Sequence, residues 1–151
     1  MSADMGDIAG TKARPWVLST PGGASGFRAY RDPLLDPPAI VVKAGETEIA
    51  FHLRCLNDLD EMLRARGDWM PLGVAEEQAP AAEGTVEAWA RSPKNPVKGW
   101  YGLKKGLRGR FAAFIPPIMA ALNLAEIEED PKNPRMRANT RPTRVSLSPS
   151  P

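Results

Sequence analysis

The sequence predicts an α+β fold: a single domain of N-terminal antiparallel strands and a hairpin, packed with several short helices, ending in a helix followed by a wing-like β-hairpin. Three observations predict it. Ala39–Ala44 and Thr47–Leu53 alternate with period two on either side of Gly45, the pattern of paired strands. Leu59, Met62 and Leu63 then switch to helical spacing, and Gly67 is placed to end that helix. Near the other end, Ala125–Glu129 and Arg135–Ala138 flank the turn signal Asp130-Pro131-Lys132-Asn133-Pro134.

Each element has a local reason. Trp16-Val17-Leu18 opens the apolar pattern, and Gly26–Arg31 reads as a short strand with Phe27 and Tyr30 as its bulky residues. Asp32–Pro38 holds three prolines and does not pair as a central strand. In Thr47–Leu53, Thr47, Ile49, Phe51 and Leu53 share one face while Glu48, Ala50, His52 and Arg54 share the other. Asn57 is the expected N-cap of the next helix, with Asp58 in its first turn. Trp69 and Met70, inside the compact turn Gly67–Gly73, are expected to plug the core. Thr85 caps a short helix that carries Val86 and Trp89 inward.

From Trp100 to Phe114, Leu103, Leu107, Phe111 and Phe114 recur at helical spacing and predict a helix with those residues buried. Gly102, Gly106 and Gly109 line a second stripe, each costing a helix about 1 kcal/mol relative to alanine. Close packing on a neighbouring element is the plainer reading of that stripe; approach to a phosphate is the sharper one. Pro116-Pro117 is expected to end this helix at Ile115 and begin another carrying Ile118, Met119 and Leu122.

Length and composition set the domain organisation. The 151 residues suffice for one core, and 42% hydrophobic with 25% charged residues fits an ordinary globular domain. Residues 1–14 read as a disordered arm, 15–138 as the domain, and 139–151 as a disordered Pro/Ser/Arg tail. The one cysteine, Cys55, excludes an internal disulfide and fits a reducing cytoplasm. Asp4 and Asp7 with no apolar run argue against a secretory leader, and no stretch approaches the ~20 apolar residues of a membrane span. A cytoplasmic location without membrane contact follows as the expectation.

Charge is divided unevenly. Residues 1–87 hold 8 Lys/Arg against 14 Asp/Glu, while residues 88–151 hold 12 against 4. Every acid after Glu87 lies between Glu126 and Asp130, so 88–125 carries positive charge only. A basic stretch with aromatics between its lysines suits phosphate contacts and base stacking. The candidate nucleic-acid-binding residues are Lys98, Trp100, Tyr101, Lys104, Lys105, Arg108, Arg110, Arg135 and Arg137. Core membership remains the plainer reading of Trp100 and Tyr101. A solvated face is the plainer reading of the carboxylates at 126–130.

Catalytic constellations are sparse. No G-x-x-x-x-G-K-[ST], helix-opening G-x-G-x-x-G or G-x-S-x-G occurs. One histidine and one cysteine do not make a zinc site, so no metal or cofactor is expected. His52 and Cys55 stand three apart, but the strand alternation sends them to opposite faces. A buried small side chain beside a surface histidine is the plainer reading.

The strings Y-R-D at 30–32, H-L-R-C at 52–55, G-D-W-M-P-L-G at 67–73 and G-W-Y-G-L-K-K-G-L-R-G-R-F at 99–111 resemble those of a family of small bacterial proteins known as a domain of unknown function, over about residues 16–138. The resemblance implies membership and no activity. Helices followed by a hairpin are similar to a winged helix-turn-helix, with Arg135 and Arg137 on the wing. Against this, Pro116–Leu122 has no polar side chain with which to read bases. The G-x-x-G at 106–109 is similar to the loop with which KH domains clamp RNA.

The function expected from these features is a non-catalytic binding module that docks an anionic partner, nucleic acid favoured, through a basic surface. The alternative is a protein–protein interaction or self-assembling domain with charge-complementary halves. An enzyme using Cys55 is a distant third.

Overall fold

Four strands made by consecutive hairpins form the larger sheet: β1 (Trp16–Ser19), β2 (Gly26–Asp32), β3 (Ala39–Ala44) and β4 (Thr47–His52), in that spatial order and all antiparallel. The computed structural model describes residues 9–23, 25–76, 78–103, 110–130 and 132–139. Register is set by apolar alternation. Trp16, Ala29, Val42 and Ile49 are successive cross-strand partners, so one buried row crosses the whole sheet. Ile40 and Phe51 continue the same face.

Helix α1 (Cys55–Arg66) lies against this core through Cys55, Leu56, Leu59 and Leu63, which are buried. It begins two residues before the expected Asn57, which is an exposed helical residue donating to Glu61. Arg54 occupies the N-cap without a side-chain cap, because Cys55 and Leu56 must already turn inward. Gly67 closes the helix in the left-handed conformation (φ 72°) and donates to the Leu63 carbonyl, as the sequence predicts. The expected core plugs divide. Met70 is buried, whereas Trp69 is half-buried, with the guanidiniums of Arg135 and Arg137 over its ring.

Helix α2 (Val86–Arg91) starts at Thr85, whose hydroxyl accepts the Ala88 N–H as expected. Of the expected helix over Trp100–Phe114, residues 104–109 lie outside the described residues, residues 100–103 are not helical, and Phe111–Phe114 are. His52 donates its N–H to the Tyr101 carbonyl and Leu103 donates to Ala50, so residues 101–103 run extended beside β4. Pairing with a strand edge satisfies this glycine-bearing backbone without the helical cost of Gly102. Helix α3 begins only at Phe111 and continues through both prolines to Ala121. Pro116 and Pro117 forfeit two helical hydrogen bonds, a cost of about 3 kcal/mol or more each. Nine consecutive buried side chains, Phe111–Met119, offset it, since burying one large apolar side chain contributes about 1.5–3 kcal/mol.

The C-terminal hairpin, β6 (Ala125–Glu128) and β7 (Arg135–Ala138), forms where expected but is not a free wing. Strand β5 (Met70–Pro71) pairs with β7, which becomes the middle strand of a three-stranded sheet in the order β5-β7-β6. Met136 stands between Met70 and Ile127 and is fully buried. Both sheets and all three helices share one hydrophobic core, a single α+β domain. Residues 9–14 form turns in which the Gly10 carbonyl accepts the Arg31 N–H, and Asn139 is buried, donating to Asn123.

Candidate nucleic-acid interface

The loop after α2 is built on one buried amide. Asn95 donates from Nδ2 to the carbonyls of Trp89 (2.7 Å) and Gly99 (2.8 Å), and its Oδ1 accepts the N–H groups of Val97 and Gly99. Four bonds to one side chain use its full hydrogen-bonding capacity. Lys98 sits inside this clasp in the left-handed region (φ 59°), and its side chain is exposed. Trp100 follows, 42% exposed. The sequence alone did not single out Asn95. Its position between Pro93 and Pro96 was the available signal.

Tyr101 does not share that exposure. It is fully buried, stacked on Trp89 with ring centroids 5.4 Å apart, and donates its hydroxyl to Asp58 Oδ2 at 2.9 Å. Burial, reinforced by that bond, pushes its phenol well above the usual tyrosine range. A buried ring cannot stack on a nucleotide, so Tyr101 leaves the candidate site and belongs to the core.

The remaining candidates fall into three groups. Lys104, Lys105 and Arg108 lie outside the described residues. Arg110 is the N-cap of α3 (φ 50°), and its Nε is buried with no hydrogen-bond partner among the described residues. Arg135 and Arg137 stand on the second sheet, not beside β4 with Lys98 and Trp100. Each is paired across the hairpin, Arg135 with Glu128 and Arg137 with Glu126, and each overlies Trp69, at 4.9 and 4.4 Å. Lys98 and Trp100 thus precede the residues that join β4, and Arg110 opens α3. The two hairpin arginines belong to the other sheet, each engaged by a glutamate and by Trp69.

The α3 N-terminus is occupied from within. Glu87 is fully buried, accepts the Ala112 N–H at 2.8 Å and pairs with Arg91. An internal carboxylate thus holds the position an external anion would take at that helix end.

At the β4–α1 junction, Cys55 is completely buried, and burial pushes its thiol well above the usual range. Burial and the neighbouring Arg54 charge lower His52, so the imidazole is neutral near pH 7. Neither change activates a nucleophile, which requires the thiolate. Among the described residues no group of three or more His, Cys, Asp or Glu is placed to hold a metal ion. No described helix is long and apolar enough to cross a membrane.

Residues 8–139 match the family of unknown function DUF6855. The chain belongs to that family. The match spans the folded domain, including the turns at residues 9–14 and the buried Asn139, and so agrees with the limits of the core. Neither a curated protein nor a solved structure matches the chain. Membership in DUF6855 brings no activity with it.

Proposed function

We propose that this member of DUF6855 is a non-catalytic binding module of the bacterial cytoplasm that docks an anionic partner, nucleic acid favoured, through the basic segment from Lys98 to Arg110. The observation that carries the reading is the Asn95 clasp, which presents Lys98 and Trp100 at the start of that segment. Leu103 is tied to β4 at one side of residues 104–109, and Arg110 caps α3 at the other. Lys104, Lys105 and Arg108 therefore lie between two fixed points of the domain. The hairpin arginines contribute less, because each has a glutamate partner. The buried, unactivated Cys55 speaks against the enzyme alternative built on that thiol.

Titration with DNA and RNA oligonucleotides at two salt concentrations tests the reading. Binding is expected to weaken with salt at a log-log slope near −0.9 per duplex phosphate contacted, or about −0.7 for a single strand. Reversing Lys104, Lys105 and Arg108 to Glu removes it without unfolding the chain. Retained binding in that variant, or none in the unaltered protein at low salt, overturns the reading. An oligomer that dissociates with salt and ignores added nucleic acid would instead support the charge-complementary, self-assembling alternative.

A further inference from the structure

We infer that two copies of this chain pair through β1, antiparallel about a twofold axis at Leu18, so that their four-stranded sheets become one. The joint lies on the opposite edge of the sheet from residues 101–103, so nucleic-acid docking stands or falls without it.

Strand β1 has an open edge. The Thr20 N–H donates to the Ser25 carbonyl at 2.8 Å, which makes those two residues a hydrogen-bonded pair. Such pairs alternate along an antiparallel ladder, so Leu18–Phe27 and Trp16–Ala29 are bonded as well. The N–H and C=O groups of Val17 and Ser19 therefore point away from β2, and they meet no partner among the described residues. The same alternation turns Ala50 and His52 outward at the far side of the sheet, where residues 101–103 bond to both. At the β1 edge, by contrast, Val17 is 70% exposed and Ser19 is exposed.

What such an edge accepts is another extended chain, because its bare donors and acceptors repeat at strand spacing. A second copy fits by symmetry. Val17 and Ser19 flank Leu18, so a twofold there pairs Val17 with Ser19 of the second copy, and Ser19 with its Val17, two hydrogen bonds to each pair. Charge also permits it. Strand β1 has neither a charged residue nor a proline, two of the devices that keep sheet edges apart, whereas β6 carries Glu126 and Glu128 and β5 ends in Pro71. The row Lys43–Arg28–Val17 would run on to Ser19 and Gly26 of the second copy, so no like charges oppose. Leu18 of the second copy falls on the core-facing side of the sheet. There it enters a groove of about 400 Å³ lined by Leu18, Pro117, Ala120, Ala121 and Ile127.

Two cysteine variants read the pairing directly. Opposed residues of a non-hydrogen-bonded pair have Cα atoms about 4.5 Å apart, within disulfide reach, whereas the two Val17 positions would be about 8 Å apart, outside it. Leu18→Cys is expected to yield a disulfide-linked dimer on mild oxidation, and the more exposed Val17→Cys to stay monomeric. The native Cys55 is buried and joins neither. Sedimentation of the unaltered chain from micromolar to millimolar concentration is expected to show a monomer–dimer equilibrium that persists at about 1 M salt, as an uncharged joint requires. Ser19→Pro removes an N–H that serves only the open edge. With one bond lost from each copy, it is expected to weaken the dimer by about 5- to 150-fold. Thermal melts establish that the variants fold, and should Ser19→Pro not fold, the cysteine pair decides alone. A chain that stays monomeric to millimolar concentration overturns the inference, as does a dimer that dissociates with salt, which belongs to the charge-complementary alternative. Val17→Cys cross-linking as fast as Leu18→Cys, or a dimer unchanged by Ser19→Pro, removes β1 from the joint.

Discussion

The Glu87 carboxylate accepts the backbone N–H of Ala112 at 2.8 Å, so a side chain of one helix caps the first turn of another 25 residues away. The other carboxylate oxygen pairs with Arg91 at 3.0 Å, and Arg91 in turn holds the carbonyls of Ala75, Glu76 and Ala79. One buried ion pair thereby ties α2, the start of α3 and the preceding loop together. Helix α3 needs this external cap, because its own N-cap, Arg110, makes no side-chain cap bond.

Glu87→Ala should therefore be among the most destabilising single substitutions. It strands the nearly buried Arg91 charge and uncaps α3, a loss of about 3–5 kcal/mol. Urea unfolding measures it, and a loss below about 1 kcal/mol would show that the pair is not structural.

The same carboxyl gives stability a pH dependence. Burial holds Glu87 above its ordinary value of 4.5, although Ala112 and Arg91 pull the other way. The folded chain then holds this proton more tightly than the unfolded chain. Its contribution is fully present below pH 4.5 and is lost as pH rises through the raised folded value. The difference in unfolding free energy between the unaltered chain and Glu87→Gln should fall across that window and level off above it. A flat or rising difference contradicts the assignment.

Gly73 is a steric prediction. It has φ +62°, and an added Cβ would sit 2.3 Å from Cβ of Thr85, the residue that caps α2. Gly73→Ala combines left-handed strain with displacement of a cap, each about 1–2 kcal/mol, for a loss of at least about 2 kcal/mol. Gly67→Ala meets open space and should lose only the conformational part, about 1–2 kcal/mol. Thermal melts of the two variants side by side check the contrast, and equal losses would remove Thr85 from the explanation.

Cys55 should be inert in the folded chain. Complete burial and a thiol held above its usual range predict that a thiol reagent labels it no faster than the domain opens. Rapid labelling near neutral pH in the folded state would reopen the catalytic alternative.

What was legible from residues alone was what a neighbour three or four positions away decides. The Leu59–Leu63 spacing, the Gly67 terminus, the Thr85 cap and the β3–β4 alternation all appear as read. The candidate site was legible in part. Lys98 and Trp100 could be named, but their presentation depends on Asn95, whose four bonds reach both Trp89 and Gly99. Tyr101 carried two readings, core and site, because a tyrosine between lysines looks the same in sequence whether it faces water or, as here, a buried aspartate; the core reading is the one that holds.

By itself, then, the chain's amino-acid order determined the alternating strands, the short capped helices and the split between an acidic first part and a basic second part, because turn chemistry and side-chain period act over one or two turns. Tertiary structure alone decided that α3 passes through Pro116 and Pro117, that β5 converts the hairpin into a sheet, and that residues 101–103 join β4. In each case the deciding term is burial or backbone pairing supplied by a distant segment, and it outweighs a local preference of a few kcal/mol.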